Sequence, residues 1–80
     1  MLILSRRKGE SLRIGDDTKV TVLFVGKAQI ELCVNGSEFI TTCLQESVSI
    51  SDDIKIKVVK IISNQVKIGI DAPNMNVKRE

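Results

Sequence analysis

Two basic groups carry the residue types most able to do chemistry in this sequence. Arg6-Arg7-Lys8 lies near its start and Lys78-Arg79 near its end. Such cations neutralise phosphates, and arginine also binds guanine edges through a bidentate fork. Their blander use is as a solvated strand end that deters edge-to-edge aggregation. Two acidic pairs, Asp16-Asp17 and Asp52-Asp53, have the carboxylates needed for a hard cation or for acid–base work. Lying between extended segments, they read more simply as turn residues. The two cysteines, Cys33 and Cys43, have no histidine to pair with, because the sequence contains none. A zinc site or a nucleophile–histidine pair therefore has little to stand on, and each cysteine reads as a small hydrophobe. No phosphate loop, nucleophile motif or metal-ligand spacing is present. The expectation is a protein that is not an enzyme and needs no cofactor.

Eighty residues make one domain at the small end of what folds alone. With 42% hydrophobic and 28% charged residues, the chain is globular rather than disordered. Aromatics amount to 2%, from Phe24 and Phe39, so aliphatic side chains must fill the core. A net charge of +2 permits an anionic partner without demanding one. Met1–Leu4 is too short for a signal core before Arg6, and no apolar run reaches the roughly 18 residues of a membrane span. These features predict a cytoplasmic protein with reduced thiols and no membrane partner.

The elements that must position the charges come from a repeat. Shifted by 36 positions, Glu10–Asn35 falls on Glu46–Asp71 without a gap, with eight identities and seven exchanges of one aliphatic residue for another. Two copies are too few for a solenoid and suggest a fused dimer, one chain supplying both halves of a two-fold assembly.

Alternation with a period of two runs almost throughout and predicts strands. They fall over residues 2–6, 11–14, 19–25, 29–34, 38–43, 47–50, 54–62, 65–70 and 75–79, punctuated by Gly9, Gly15-Asp16, Gly26-Lys27, Asn35-Gly36 and Ser63-Asn64. No helical stripe is evident. The expected fold is all-β, with about nine interlocked antiparallel or mixed strands and little or no helix. The whole of 1–80 is one domain, repeat one spanning about 1–36 and repeat two about 37–80. The segment Glu38–Cys43 is at once the last strand of the first copy and the first strand of the second. Its charge is lost: Arg6-Arg7-Lys8 becomes Thr42-Cys43-Leu44.

Met1–Asp16, together with Ile54–Val59, Asn64–Pro73 and Val77–Glu80, resembles the CsrA/RsmA family of bacterial carbon storage regulators over nearly the full chain. That resemblance implies a homodimer of interlocked five-stranded subunits. The first strand of one subunit and the last strand of the other line each RNA site. It implies binding of messenger RNA leaders through a GGA triplet in a hairpin loop, repression of translation or altered message stability, and titration by a sequestering small RNA. Carried over by residue, Leu4, Ser5, Arg6 and Arg7 match the first-strand part of the site. Ala72 and Pro73 match the loop before the last strand, and Val77, Lys78, Arg79 and Glu80 match the last strand, with Arg79 at the family's principal arginine. Lys78 stands where the family usually has histidine. The family's members carry one unit and a C-terminal helix, whereas this sequence carries two units.

Two assemblies fit these features: a single-chain pseudo-dimer, with strands exchanged between repeats and one surviving RNA site, and a homodimer. Two function classes also fit. One is an RNA-binding translational regulator. The other is an RNA-binding-deficient antagonist or protein-interaction module that pairs with a CsrA-type protein or another partner.

Overall fold

The alternating aliphatics organise the chain into strands that each bury one face. In the computed structural model, which describes all 80 residues, there are nine strands and no helix. They are β1 (Leu2–Arg7), β2 (Ser11–Ile14), β3 (Thr18–Val25), β4 (Gln29–Val34), β5 (Glu38–Cys43), β6 (Ser47–Ser51), β7 (Ile54–Ile62), β8 (Gln65–Asp71) and β9 (Val77–Arg79). These depart from the sequence expectation by a residue or two at their ends. The largest difference is at β9, which starts at Val77 because Met75 is used in a turn: its N–H donates to Ala72 O at 3.2 Å, after Asn74 at φ 65°.

All pairings are antiparallel and form two sheets, ordered β1-β8-β7-β6 and β5-β4-β3-β2-β9. Inward residues of both sheets meet in one core of 13 side chains. Leu12, Ile14, Val20, Val22, Ile30, Leu32 and Val34 come from one sheet, and Ile54, Ile56, Val58, Val66, Ile68 and Ile70 from the other.

The repeat is reproduced down to individual hydrogen bonds. In the first copy Gly9 N–H donates to Val22 O and Val22 N–H to Glu10 O. In the second copy Gln45 N–H donates to Val58 O and Val58 N–H to Glu46 O. Carboxylates at equivalent places accept the next backbone donors, Glu10 from Arg7 N–H at 2.8 Å and Glu46 from Cys43 N–H at 3.2 Å. Each turn docks onto a register shift in the neighbouring long strand, between Val22 and Phe24 in one copy and between Val58 and Lys60 in the other. The extra residue of such a bulge bends the strand. Gly9 adopts φ 88° at the first turn, while Gln45 holds φ 71° at the second, a conformation uncommon without glycine. The Gln45 side-chain amide also donates to Val59 O, on the bulge itself, at 2.8 Å.

The terminal strands cross between the repeats. β1 pairs with β8 along its whole length, from Leu2 opposite Ile70 to Arg7 opposite Gln65. β9 pairs with β2, setting Leu12, Arg13 and Ile14 opposite Arg79, Lys78 and Val77. Of the two positions expected of Glu38–Cys43, β5 occupies one. It bonds to β4, as a first strand of the second copy does, and the outer edge of β6 carries no strand. The consequence shows in burial. Leu12 and Ile14, beneath β9, are 0% and 1% exposed, whereas their counterparts Val48 and Ile50 are half-buried.

This contrast gives a direct test of the topology. Ile14→Ala should cost about 2–5 kcal/mol, as for a buried isoleucine, and Ile50→Ala clearly less, measured by urea denaturation. Equal losses would mean that the edge of β6 is covered in solution.

Candidate nucleic-acid interface

β1 and β9 belong to different sheets yet run side by side. At one end, Met1 and Leu2 share a groove of about 200 Å³ with Ala72, Pro73, Met75 and Val77. At the other, Arg6 Nη1 donates to Ser11 O at 3.1 Å, and the Glu80 N–H donates to the same carbonyl at 3.0 Å. The two strands therefore point the same way and border the seam between the two sheets beside Ser11 of β2, the candidate cleft. Both are terminal in their sheets, so each has one edge without a strand partner; on β1 the Arg7 N–H and carbonyl on that edge are bonded to Glu10, and Ser5 O accepts from Arg6 Nε.

Strand alternation sorts the candidate residues into two sets. Leu4 lies opposite Ile68, Arg6 opposite Val66, Val77 opposite Ile14 and Arg79 opposite Leu12. Each partner is a core residue, so these four side chains lie on the inward faces of their sheets at the seam, Leu4 and Val77 packed against the core and Arg79 exposed. Ser5 and Arg7, opposite Lys67 and Gln65, face out from the first sheet. Lys78 and Glu80 face out from the second. Ala72 and Pro73 line the groove at the cleft's end. All ten residues thus lie on or beside the two terminal strands, but they face in different directions.

Arg6 is engaged by the protein itself. Its side chain is 12% exposed, its Nε donates to Ser5 O at 2.9 Å and lies 3.7 Å from Glu10, and its Nη1 holds Ser11 O. In this arrangement it clamps β1 to β2. Arg7, Lys78 and Arg79 are exposed, and none takes part in the molecule's two ion pairs.

The second ion pair involves a residue that sequence reasoning passed over. Arg13 Nε donates to Glu80 Oε2 at 2.6 Å and Nη2 to Oε1 at 3.3 Å, a fork that ties the end of β9 to β2. The available signal was the repeat, since Arg13 becomes Ser49 in the copy whose corresponding edge carries no strand. The Arg13 hydrogen bond holds the Glu80 carboxyl below the usual glutamate range, and Glu80 in turn raises Arg13.

The equivalent region of the other repeat is built differently. Thr42, in the place of Arg6, is buried. Cys43, in the place of Arg7, is exposed, with its thiol pushed up by the hydrogen-bonding carboxylate of Glu46. No strand stands beside β6 to complete a cleft. No group of three His, Cys, Asp or Glu side chains is clustered so as to hold an ion, around either acidic pair or elsewhere.

The model of the CsrA global regulator protein family matches this chain twice, over residues 1–41 and 39–80. The chain belongs to that family, as a tandem form. It is 39% identical over 46 residues to "Translational regulator CsrA" of Clostridium botulinum strain Okra, type B1. It is 37% identical over 46 residues to the protein of that name from strain ATCC 19397, type A. Each match covers 58% of this chain and 64% of the relative. No solved structure matches the chain.

Because Glu80 titrates lower in the folded chain than unfolded, its contribution is present above the ordinary glutamate range, near pH 4.3. It is lost as the pH falls through the lowered value. Hydrogen-exchange protection of Val77–Arg79, corrected for intrinsic rates, should therefore fall on acidification before that of β4. Glu80→Gln should remove this step. A β9 whose protection tracks β4 at every pH would show that the fork does not hold the strand.

Proposed function

We propose that this chain is an RNA-binding translational regulator with one complete RNA site, the cleft between β1 and β9. The observation that carries the reading is the convergence of Arg6 and Glu80 on the Ser11 carbonyl. It sets two open strand edges side by side, with Leu4, Val77 and an unpaired Arg79 at the seam between them. RNA is read in sequence-specific fashion through splayed single-stranded bases. Free backbone N–H and C=O groups on a strand edge supply donors and acceptors for such base edges. The nearby arginine supplies either a bidentate guanine contact or phosphate neutralisation. The sequence resemblance specifies the ligand as a GGA triplet in a hairpin loop of a messenger leader, with repression of translation or altered message stability as the outcome. A small RNA bearing the same loop would compete for the cleft. The names of the two relatives support the regulatory role.

In this reading the chain acts as a single-chain pseudo-dimer. β1 and β9 already find across the repeat the partners that a dimer would supply, and the opposite side has neither the arginine nor the last strand. The open edge of β6 favours one rival, an RNA-binding-deficient antagonist that accepts a strand from another CsrA-type chain.

Titration of a GGA hairpin, followed by native mass spectrometry at two salt concentrations, should give a complex of one chain with one RNA. Arg79→Ala should weaken it by about 1–3 kcal/mol if the contact is bidentate to a base. If the contact is to phosphate alone, the loss should be uniform across sequences and the salt slope should fall by about one. Two chains with two RNAs would keep the regulator and refute the single site. No complex at low salt, where phosphate contacts are strongest, would select the antagonist.

A further inference from the structure

Strand alternation places a second group of cations on a face outside the cleft. On β8, Val66, Ile68 and Ile70 are buried, so Gln65, Lys67, Gly69 and Asp71 face outward. On β7, Ile54, Ile56 and Val58 are buried, so Lys55 and Lys57 face outward. The register shift between Val58 and Lys60 restores the phase, setting Lys60 outward beside Lys67. Arg7 of β1 points the same way, opposite Gln65. The outward face of this sheet thus carries five cations, Arg7, Lys55, Lys57, Lys60 and Lys67, against the single carboxylate of Asp71. That is more positive charge than the +2 of the whole chain.

The charges are neither paired nor dispersed. Lys55 faces Asp71, but Lys57 faces Gly69 on one side and Ser47 on the other. Lys60 faces Lys67, whose other neighbour is Ser5. Like charges directly opposite across a ladder destabilise a sheet, and neither ion pair of the molecule involves these lysines. The outward face of the other sheet differs: Lys78, Arg13 and Lys19 stand side by side on β9, β2 and β3, but with the carboxylates of Glu80 and Glu31 on the same face. Lys57, Lys60 and Lys67 correspond to Thr21, Phe24 and Glu31, and Phe24 lies opposite Glu31 where Lys60 lies opposite Lys67. The three lysines that replace Thr21, Phe24 and Glu31 stand in the sheet that ends in β1, the strand that also borders the cleft.

We infer that this outward face is a sequence-independent binding surface for RNA backbone, continuous with the cleft across β1. Arg7, Lys57, Lys60 and Lys67 take the phosphates of nucleotides flanking the loop. The inference rests on the RNA reading of the cleft and extends it. Strands in a sheet lie about 4.8 Å apart, so Lys67 stands one strand and Lys57 and Lys60 two strands inward from Arg7. RNA leaving the cleft over β1 meets the cations in succession, and a bound phosphate relieves the repulsion between Lys60 and Lys67.

The test compares the wild type with a Lys57→Gln, Lys60→Gln, Lys67→Gln variant, whose substitutions lie on an outward face and leave the core untouched. Two RNAs are used, a GGA hairpin with its full stem and a short single strand carrying only the loop. The variant should lose affinity for the hairpin, with a plot of log K against log salt shallower by about three for three stem phosphates. Its affinity for the short strand should be nearly unchanged. Its melting temperature at low salt should be equal to or above that of the wild type. An unchanged hairpin slope, with wild-type RNA binding intact, would overturn the face and keep the cleft. Wild-type chain that binds neither RNA would overturn both. Binding of poly-glutamate that depends on these lysines, alongside an unchanged hairpin slope, would assign the face to an acidic protein and overturn the inference.

Discussion

The structure depends on an exchange of strands between the two repeats. Neither repeat closes its sheet alone. β1 leaves the first copy to bond β8 in the second, and β9 leaves the second to bond β2 in the first. Backbone pairing between the ends of the chain thereby completes both sheets. A core of 13 aliphatics with no aromatic member is small, and interlocking is how a chain this short commits both sheets to one arrangement. The cleft is a by-product of the same exchange, for only crossed terminal strands bring residues near 6 and near 79 together.

An odd number of strands makes the molecule asymmetric. Nine strands cannot fill ten positions, and β5 takes the place beside β4, leaving β6 open. Physical signs of that choice run through the chain. Ile14 is sealed and Ile50 is not, and Arg13 has a carboxylate to hold where Ser49 has none. Thr42 is buried where Arg6 clamps two strands. Thr42 and Cys43 stand where the first copy has Arg6 and Arg7, while Lys57, Lys60 and Lys67 stand where it has Thr21, Phe24 and Glu31.

Much of this was legible in the residues. The 36-residue shift, the alternation of aliphatics and the turn residues located all nine strands, because burial on one face of a strand leaves a direct trace at every second position. The strand exchange and the gathering of Leu4–Arg7 with Val77–Glu80 also followed, from counting strands and from the family resemblance. Three features left weaker traces. The bulges at Val22–Phe24 and Val58–Lys60 shift the pattern by one residue, which short alternations absorb unnoticed. The start of β9 at Val77 depends on the packing of Met75, which is aliphatic enough to look like strand. The clamp made by Arg6 was hidden because a guanidinium that holds a carbonyl and one that awaits a phosphate have the same residue type; its 12% exposure and its bonds to Ser5 O and Ser11 O come from the fold. The fork from Arg13 to Glu80 joins residues 67 positions apart, beyond any local pattern.

Both exchanged strands belong to the chain that receives them. Isotope-filtered nuclear Overhauser spectroscopy on a refolded mixture of labelled and unlabelled protein tests it most directly. The account predicts that contacts between Leu4 and Ile68 and between Val77 and Ile14 appear only within one chain, in a particle of 8.8 kDa. The same contacts appearing between labelled and unlabelled chains would contradict it, because the strands would then be traded between two molecules.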